Sequence, residues 1–407
     1  MESIKILYKI GHGPSSSHTM GPSDALRRFM KAHPGIRKLK VTLYGSLAAT
    51  GKGHLTEDAL KAVFDGEIEI SEKPDEFLSL HPNAFEFKGF NEAGDPLGEE
   101  VYYSIGGGTV KTEKEFFLKD ETYPLNSMEK VLDLCEQTGK SLWEFVEEYE
   151  GEEIWDFLQD IWSVMDESVK RGLRKEGVLP GELHIQRKAW SYYIKAINSR
   201  NIIGYKGKVF AYALAVSEEN ADGGLIVTAP TCGSCGIVPS VLYFLREDYG
   251  LAEEKILRGL ATAGLVGALV RENASISGAE VGCQGEVGVA CAMAAAAATQ
   301  ILGGTVYQIE YAAEMGIEHH LGLTCDPVLG YVQIPCIERN AVAAIRALEC
   351  ATYALLSDGR HMISFDVAVH TMKETGRDLP SAYKETARGG LALHWRDKKK
   401  EVDENSI

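Results

Sequence analysis

The stretch VGVACAMAAAAATQILGGTVYQI, residues 287–309, contains no charged side chain and decides how the chain folds. A charge-free run of 23 residues is long enough to cross a membrane. This one, however, consists mostly of Ala, Gly, Thr, Gln and Cys and has few large apolar residues. We therefore predict a tightly packed, buried core helix over residues 285–302 rather than a membrane span.

Helical periodicity extends outward from this run over most of the chain. Apolar residues recur at helical spacing from residue 127 onward. The predicted helices cover residues 127–138, 141–149, 152–175, 186–199, 208–217, 237–249, 253–271, 285–302, 341–356 and 365–375. We expect a nearly all-α domain over residues 127–395 and a highly charged, flexible tail over residues 396–407.

The first 115 residues show a different pattern. Short β-branched and apolar runs predict strands at residues 4–10, 39–44, 67–70 and 100–104. Helical spacing predicts helices at residues 23–32 and 56–64, the latter with Thr56 as a cap. Residues 1–115 are therefore expected to form a small α+β domain, joined by a charged linker, residues 116–126, to the helical domain. The predicted fold class of the whole chain is α+β.

The charge balance excludes some classes of function. Lys and Arg number 42 against 59 Asp and Glu, a net charge of −17. Such an acidic chain is a poor candidate for binding nucleic acid or an anionic membrane, and it favours small-molecule chemistry. The opening residues have no secretory signal pattern, so we expect a cytoplasmic protein whose eight cysteines are reduced.

Three segments of the first domain are rich in hydroxyl, histidine or glycine residues. GHGPSSSHTMGP, residues 11–22, places Ser15, Ser16, Ser17, His18 and Thr19 at the start of a predicted helix, where free backbone N–H groups can bind an anion. An ordinary helix cap is the alternative interpretation, but three serines beside a histidine exceed what a cap needs.

The other two segments are less specific. YGSLAATGKGHLTEDA, residues 44–59, puts His54 in a glycine-rich loop, where a catalytic and a structural role are about equally plausible. YYSIGGGT, residues 102–109, ends a predicted strand at Gly106 and Gly107, which suit close approach of backbone to a ligand, although a flexible turn has the same composition.

Cysteines cluster in residues 232–350. Cys232 and Cys235 form a single C-x-x-C at the start of a helix, which could be a redox pair or half of a zinc site. Neither a second such pair nor a preceding βαβ unit is evident, so burial or lining of an active site is the better interpretation.

Three further cysteines give the strongest chemical signal. Cys283, Cys325 and Cys336 lie beside glycine or proline in predicted loops, as cysteines that hold an iron–sulfur cluster do. Buried structural thiols are the alternative, which we expect for Cys291 and Cys350 inside helices. Three thiolate ligands to a four-iron cluster would leave one iron open as a Lewis acid.

These segments together resemble the bacterial iron–sulfur-dependent L-serine dehydratases of the single-chain type. The resemblance runs in the same order over nearly the whole chain, residues 13–392. It rests on GPSSSHTMGP, YGSLAATGKGH, YYSIGGGT, KEGVLPGEL, TAPTCGSCGIVP, NASISGAEVGCQGEVGVACAMAAA, EHHLGLTCDPV, QIPCIERNA and ETARGGLA.

The resemblance implies a [4Fe-4S] cluster held by Cys283, Cys325 and Cys336, with an open iron that binds L-serine. It implies an L-serine ammonia-lyase that releases pyruvate and ammonia in serine degradation and gluconeogenesis, acting as a homodimer. His54 is the favoured general base, with His18 beside the substrate. The remaining predicted substrate contacts are Ser15, Ser16, Ser17, Thr19, Gly106, Gly107, Asn273, Ser275, Ser277 and Arg388, the last as a carboxylate clamp.

Two departures from the family pattern modify these expectations. The small domain is short between residues 64 and 99, which puts a regulatory role in doubt. No cysteine follows Cys350, so we expect water or hydroxide, rather than a tail cysteine, on the fourth iron.

Two other functions compete with this interpretation. A pyridoxal-phosphate serine/threonine dehydratase would perform the same reaction with a Schiff-base lysine, but it needs alternating strands and helices throughout. A non-catalytic iron–sulfur sensor or electron carrier would not need the SSSHT and GKGH segments. Preference for serine over threonine is open.

Overall fold

The computed structural model describes residues 1–118 and 120–404, and it contains a small sheet domain beside a larger helical one. This architecture confirms the predicted α+β class. The elements of the first part are β1 Ile10–His12, α1 Gly21–Ala32, β2 Lys38–Tyr44, α2 Gly45–Thr50, α3 Thr56–Lys61, β3 Glu67–Lys73, β4 Ala84–Phe90, β5 Pro96–Ser104, β6 Val110–Thr112 and α4 Glu113–Phe116.

The second part, as far as residue 404, is helical apart from one short strand. Its elements are α5 Met128–Thr138, α6 Leu142–Glu150, α7 Ile154–Leu173, α8 Ala189–Ile197, α9 Ile202–Ala221, β7 Leu225–Val227, α10 Ile237–Tyr249, α11 Glu253–Asn273, α12 Gly278–Val281, α13 Val289–Ile301, α14 Val306–Glu318, α15 Cys336–Leu355, α16 Phe365–Asp378 and α17 Gly390–Glu404. The predicted tail falls partly in α17, and residues 405–407 lie outside the described residues.

The sheet of the small domain has the strand order β3-β2-β4-β5-β6. β2 pairs in parallel with β3, and the other pairs are antiparallel. Alternate residues of β2 are buried because successive side chains of a strand point to opposite faces. Val41, between Ile70 and Phe87, belongs to the core that this sheet shares with Phe29 of α1.

The predicted core helix is confirmed. Every residue of α13 from Val289 to Thr299 is buried, and the helix packs against α10, α11, α14 and α15. Small side chains permit this close approach: a Cβ added to Gly316 of α14 would lie 2.6 Å from the Cα of Ala292. Across residues 1–118 and 120–404, no helix has the length and apolar character needed to cross a membrane.

Two local predictions in the first domain are wrong. Residues 4–10 do not form a strand: Ile4–Ile6 make a 3₁₀ turn, in which Glu150 accepts the Ile4 N–H, and the strand begins at Ile10. Thr56 does not cap α3 either. The N-cap position is Leu55, at a φ of 56°, and the buried Thr56 hydroxyl has no hydrogen-bond partner among the described residues.

The start of the chain belongs physically to the helical domain. β1 pairs with β7, with Ile10 opposite Val227, and the Tyr8 hydroxyl donates to the Leu260 carbonyl at 2.9 Å. Ile4 is fully buried in the same core. The chain therefore leaves the helical core only just before the serine-rich segment, which places that segment at the junction of the two domains.

Candidate active site

Three cysteines from separate segments converge in the helical domain. Cys283 precedes a π-helical turn that leads into α13, Cys325 lies in a loop, and Cys336 is the first residue of α15. All three are buried and free of disulfides. A hydrogen bond with Cys283, together with burial, raises the pKa of the Cys325 thiol. Burial and the proximity of Cys283 raise the pKa of Cys336.

A carboxyl group lies between two of these thiols. The donor atoms of Cys283, Glu286 and Cys325 all lie within 4.8 Å of one another, which makes this a possible metal-binding group. Glu286 Oε2 is 3.8 Å from Cys283 Sγ and 3.7 Å from Cys325 Sγ. Its Oε1 accepts a hydrogen bond from Thr231 at 2.8 Å. Burial raises the pKa of Glu286.

The two histidines predicted from the small domain lie against each other. Their ring centroids are 4.1 Å apart and the rings are nearly perpendicular. His18 sits in a π-helical turn, Ser16–Met20, and His54 follows the loop after α2. Both are buried. The structure thus brings together the histidines of the two motifs.

One hydroxyl links both histidines. Thr50 Oγ1 lies 2.9 Å from His18 Nε2 and 3.4 Å from His54 Nδ1, and it donates to the Ser46 carbonyl at 3.0 Å. Since its only proton goes to Ser46, the threonine oxygen accepts from both rings. The proton of His18 is therefore on Nε2, and Nδ1 accepts from the Ser17 hydroxyl at 2.8 Å.

Both rings are neutral near pH 7. Burial lowers the pKa of His18 to about 4, although the Ser46 carbonyl opposes this shift. Burial, aided by the neighbouring His18, lowers the pKa of His54 well below its usual value. Neutral imidazoles can accept protons, as a general base must.

A second carboxyl group joins the histidines to the thiols. Glu385 is buried, and its Oε1 lies 3.8 Å from His18 Nδ1. The donor atoms of His18, His54 and Glu385 lie within 4.8 Å of one another. The Glu385 N–H donates to the Cys325 carbonyl at 2.7 Å. Burial is the main cause that raises the pKa of this carboxyl, and the nearby Glu286 and Cys283 raise it further. Glu385 is therefore a protonatable side chain between the histidines and the thiols.

The backbone at Glu385 is strained. Its φ is +57°, and Ala387 has a φ of +52°. Positive φ values are unfavourable for residues other than glycine and concentrate at functional sites. This strained turn points Glu385 inward and leaves Arg388 outside.

A cleft at the domain junction reaches this region. Its volume is about 430 Å³, and it is bordered by Ser46 of the small domain and by Thr386, next to Glu385. Lys373, Arg377 and Lys384 supply positive charge to its wall. A larger surface pocket of about 650 Å³ lies between Tyr311 and Ile363 and contains none of the three converging thiols. We take the smaller cleft as the access route because it is lined by Ser46, whose carbonyl oxygen lies 3.3 Å from His18 Nε2, and by Thr386, the residue after Glu385.

The serine-rich turn is partly structural. Ser15 accepts from the His18 N–H at 3.2 Å, and its own N–H donates to Thr19 Oγ1 at 2.9 Å. Ser15 and Ser17 also face His18 Nδ1, while Ser16 is buried. The hydroxyls of Ser15 and Ser17 therefore adjoin the histidine group, whereas Thr19 stabilises the turn.

The glycine run packs against the helical domain. Gly106 and Gly107 both have positive φ values. A Cβ on Gly106 would meet Ile276 and Ser277 at 3.3 and 3.5 Å, and one on Gly107 would lie 3.1 Å from the Pro230 carbonyl. These glycines allow the close contact between domains on which the geometry of the site depends.

The other predicted lining residues lie in different environments. Ser277 is buried and its hydroxyl has no partner among the described residues, whereas the Ser275 hydroxyl donates to Glu280. The Asn273 amide donates to the carbonyls of Asn126 and Leu269, at the end of α11.

The predicted carboxylate clamp does not point into the site. Arg388 is about half exposed and pairs with Asp75 at 2.7 Å on the surface. Guanidinium groups bind carboxylates, which favours this cation from the sequence alone. The residue of the same ETARGGLA segment that faces the histidines is instead Glu385, which the sequence does not single out. Glu286 is likewise not predicted as a site residue, although the C-x-x-E spacing after Cys283 places both residues at the start of one helical turn.

The remaining cysteines are core residues, as predicted for Cys291 and Cys350. Cys232 and Cys235 are buried as well, and Cys232 Sγ lies 3.4 Å from the Met20 sulfur. Within residues 1–118 and 120–404, neither belongs to a group of three or more converging metal-donor side chains.

Comparisons with known proteins cover nearly the whole chain. The family model described as serine dehydratase beta chain matches residues 3–69, and the serine dehydratase alpha chain model matches residues 85–392. The L-serine dehydratase of Streptomyces coelicolor is 41% identical, over 96% of this chain and 98% of its own. L-serine dehydratase 1 of Escherichia coli is 39% identical, over 97% and 99% of the two chains. The L-serine dehydratase of Helicobacter pylori is also 39% identical, over 96% and 98%.

Proposed function

The chain belongs to the serine dehydratase family, and on that premise we propose that it converts L-serine to pyruvate and ammonia. The observation that carries this proposal is that two kinds of reactive group, thiols and histidines, lie close together. The helical domain supplies buried thiols at Cys283 and Cys325, and the small domain supplies the neutral histidines His18 and His54, with Glu385 between them. Elimination of water from serine needs a base and a means of activating a poor leaving group.

The donor set fits an iron–sulfur cluster. Cys283, Cys325 and Cys336 are buried, free thiols on three different segments. The sulfurs of Cys283 and Cys325 lie within 4.8 Å of each other, and Cys336 is close enough to Cys283 for that thiol to raise its pKa. Soft thiolates are the ligands that iron–sulfur clusters require. We propose that these three residues hold a [4Fe-4S] cluster. When bound, such a cluster with one open iron supplies a Lewis acid for the carboxylate and hydroxyl of serine.

We propose His54 as the general base. Both ring nitrogens of His18 are already engaged, Nε2 by Thr50 and Ser46 and Nδ1 by Ser17. His54 uses Nδ1 towards Thr50, and its Nε2 makes no hydrogen bond within the described part of the chain. His54 Nε2 is therefore the ring nitrogen left to accept the α-proton, while His18 orders the hydroxyls beside the substrate.

The homodimer and the cytoplasmic location belong to the same proposal. The eight cysteines are free and buried, which suits a reducing compartment. Apolar side chains are exposed around the α15–α16 connection, where Leu356 is 85% and Met362 is 96% exposed. Exposed apolar groups of this kind favour a subunit contact, and analytical ultracentrifugation would measure it.

The function is tested with anaerobically reconstituted protein. We expect about four irons per chain, a broad visible absorbance that changes when L-serine is added, and pyruvate release without added pyridoxal phosphate. A His54→Ala variant should keep its iron and lose turnover. A pyridoxal-type band would instead favour the Schiff-base mechanism, and a cluster that ignores L-serine would favour a sensor or electron carrier.

A further inference from the structure

An unsatisfied amide is buried beside the candidate site. Asn83, just before β4, is completely buried, and the Oδ1 atom of its side chain has no hydrogen-bond partner among the described residues. Leaving a buried polar atom unpaired is unfavourable, so native structures seldom retain one without a reason. A ligand that pairs with this amide would supply that reason.

The backbone of this amide is firmly held. The Asn83 N–H donates to His81 Nδ1 at 3.0 Å, and its carbonyl accepts from the Ser104 N–H at 2.9 Å. His81 is itself buried, with Nε2 3.6 Å from a Glu280 carboxylate oxygen. Neighbours on two sides thus fix the backbone of the residue, while its Oδ1 atom has no partner among the described residues.

The position of the amide links it to the reactive groups. Pro82, next to Asn83, lines the cleft at the domain junction together with Ser46 and Thr386. A side-chain hydrogen bond from Asn83 to Glu385 opposes the rise in the pKa of that carboxyl. Only the Nδ2 group of an amide can donate to a carboxylate, so Oδ1 remains unpaired. Glu385 also lies 3.8 Å from His18 and interacts with Cys283. Asn83 therefore adjoins both halves of the site, and it is not used by any step proposed above.

We propose that Asn83 binds the α-amino group of the substrate through its Oδ1 atom and thereby selects amino acids over hydroxy acids. This inference rests on the proposed function. If the carboxylate and the β-hydroxyl of serine are bound by the cluster, the amino group is the remaining polar group, and its N–H donors need an acceptor in a buried site. Asn83 Oδ1 is an unpaired acceptor at that place.

The test measures binding of two small ligands to reconstituted protein by calorimetry. L-alanine keeps the amino group of serine and lacks the hydroxyl, whereas 3-hydroxypropionate keeps the hydroxyl and lacks the amino group. Asn83→Leu should weaken the binding of L-alanine by about tenfold to a hundredfold, as expected for a lost hydrogen bond to a charged group. It should change the affinity for 3-hydroxypropionate by less than about threefold, because that ligand never makes the contact.

Two variants guard against a general loss of structure. Asn83→Asp keeps an acceptor oxygen and should retain L-alanine binding. Ser168→Ala removes another buried polar group, whose hydroxyl donates to the Met165 carbonyl within α7, and should not change the preference between the two ligands. Iron content and melting temperature are measured for all variants.

The outcomes separate this inference from the proposed function. The role of Asn83 would be overturned if Asn83→Leu weakened the binding of both ligands equally, or if it did not weaken the binding of L-alanine. Absence of binding of either ligand by the wild-type protein would overturn it too. Failure of the wild-type protein to release pyruvate from L-serine would instead refute the proposed function, while the calorimetric comparison would still report on Asn83.

Discussion

We expect the candidate site to be sensitive to loss of the Thr50 hydroxyl, because this one group contacts both histidines. Thr50→Val keeps the shape of the side chain and removes its oxygen, which accepts from His18 and His54 and donates to Ser46. Each net hydrogen bond contributes about 0.5–1.5 kcal/mol, and an unsatisfied buried donor costs about 1–3 kcal/mol. We expect the variant to lose about 2–4 kcal/mol of stability.

The effect on activity should be separable from the effect on folding. Without the shared oxygen, the two rings are no longer fixed in tautomer or orientation, and a displacement of about 1 Å can cost about a hundredfold in rate. We expect kcat for pyruvate formation to fall roughly 10–100-fold, with iron content unchanged. The assay couples anaerobic pyruvate release to urea unfolding of the same preparation.

Thr50→Ser is the matched control. It keeps the hydroxyl and loses only the methyl group, which lies 3.5 Å from the position that a Cβ on Gly330 would occupy. A lost methyl contact costs about 1 kcal/mol and should leave kcat nearly intact. If the valine and serine variants had equal kcat and equal stability, the shared-hydroxyl argument would be refuted.

Three further predictions concern single residues. Cys325→Ala should abolish the visible absorbance and most of the iron, whereas Cys350→Ala, in the core of α15, should keep both, as iron and sulfide analysis would show. The folded-state pKa of His18, about 4, lies below the ordinary 6.5, so the unfolded state binds more protons between these values. Stability should therefore fall as pH drops from 6.5 towards 4, by up to about 3 kcal/mol, and urea midpoints at pH 7.5 and pH 5 should show a smaller loss in His18→Gln. Arg388→Ala should change stability by less than about 1 kcal/mol and leave kcat/KM within about twofold, because exposed ion pairs contribute little; a tenfold loss would restore Arg388 as a carboxylate clamp.

The sequence predicts those parts of the fold that depend on local pattern. The charge-free run around α13 predicts a buried helix because its small side chains allow neighbours on all sides, and alternation in β2 predicts a strand. The strand predicted at residues 4–10 is wrong because tertiary contacts decide there. Ile4 and Tyr8 pack into the helical core. The 3₁₀ turn Ile4–Ile6 and the irregular backbone after it bury these side chains as well as a strand would.

The candidate site, like the fold, is predicted from the sequence only where local pattern decides. Glycine and proline neighbours identify the cysteines that converge, because such loops present thiols. The inward direction of Glu385 depends on a backbone turn and on Ser46, which is far away in the sequence. The shared contact of Thr50 depends on His18, 32 residues away, and no local pattern encodes either contact. Residue type alone favours Arg388 as a ligand of carboxylate, and only the ion pair with Asp75 shows that it is occupied elsewhere.

The route of the chain explains how the histidines are held against the thiols. β1 pairs with β7 of the helical domain, and the amide of Asn220 binds the Pro14 carbonyl, so the turn with His18 is anchored to the helical domain. The loop with His54 is pressed against that domain from the other side, since a Cβ on Gly53 would lie 2.6 Å from the carbonyl carbon of Gly330. Because each histidine is fixed to the domain that carries the cysteines, no large domain closure is needed to bring the histidines close to the thiols.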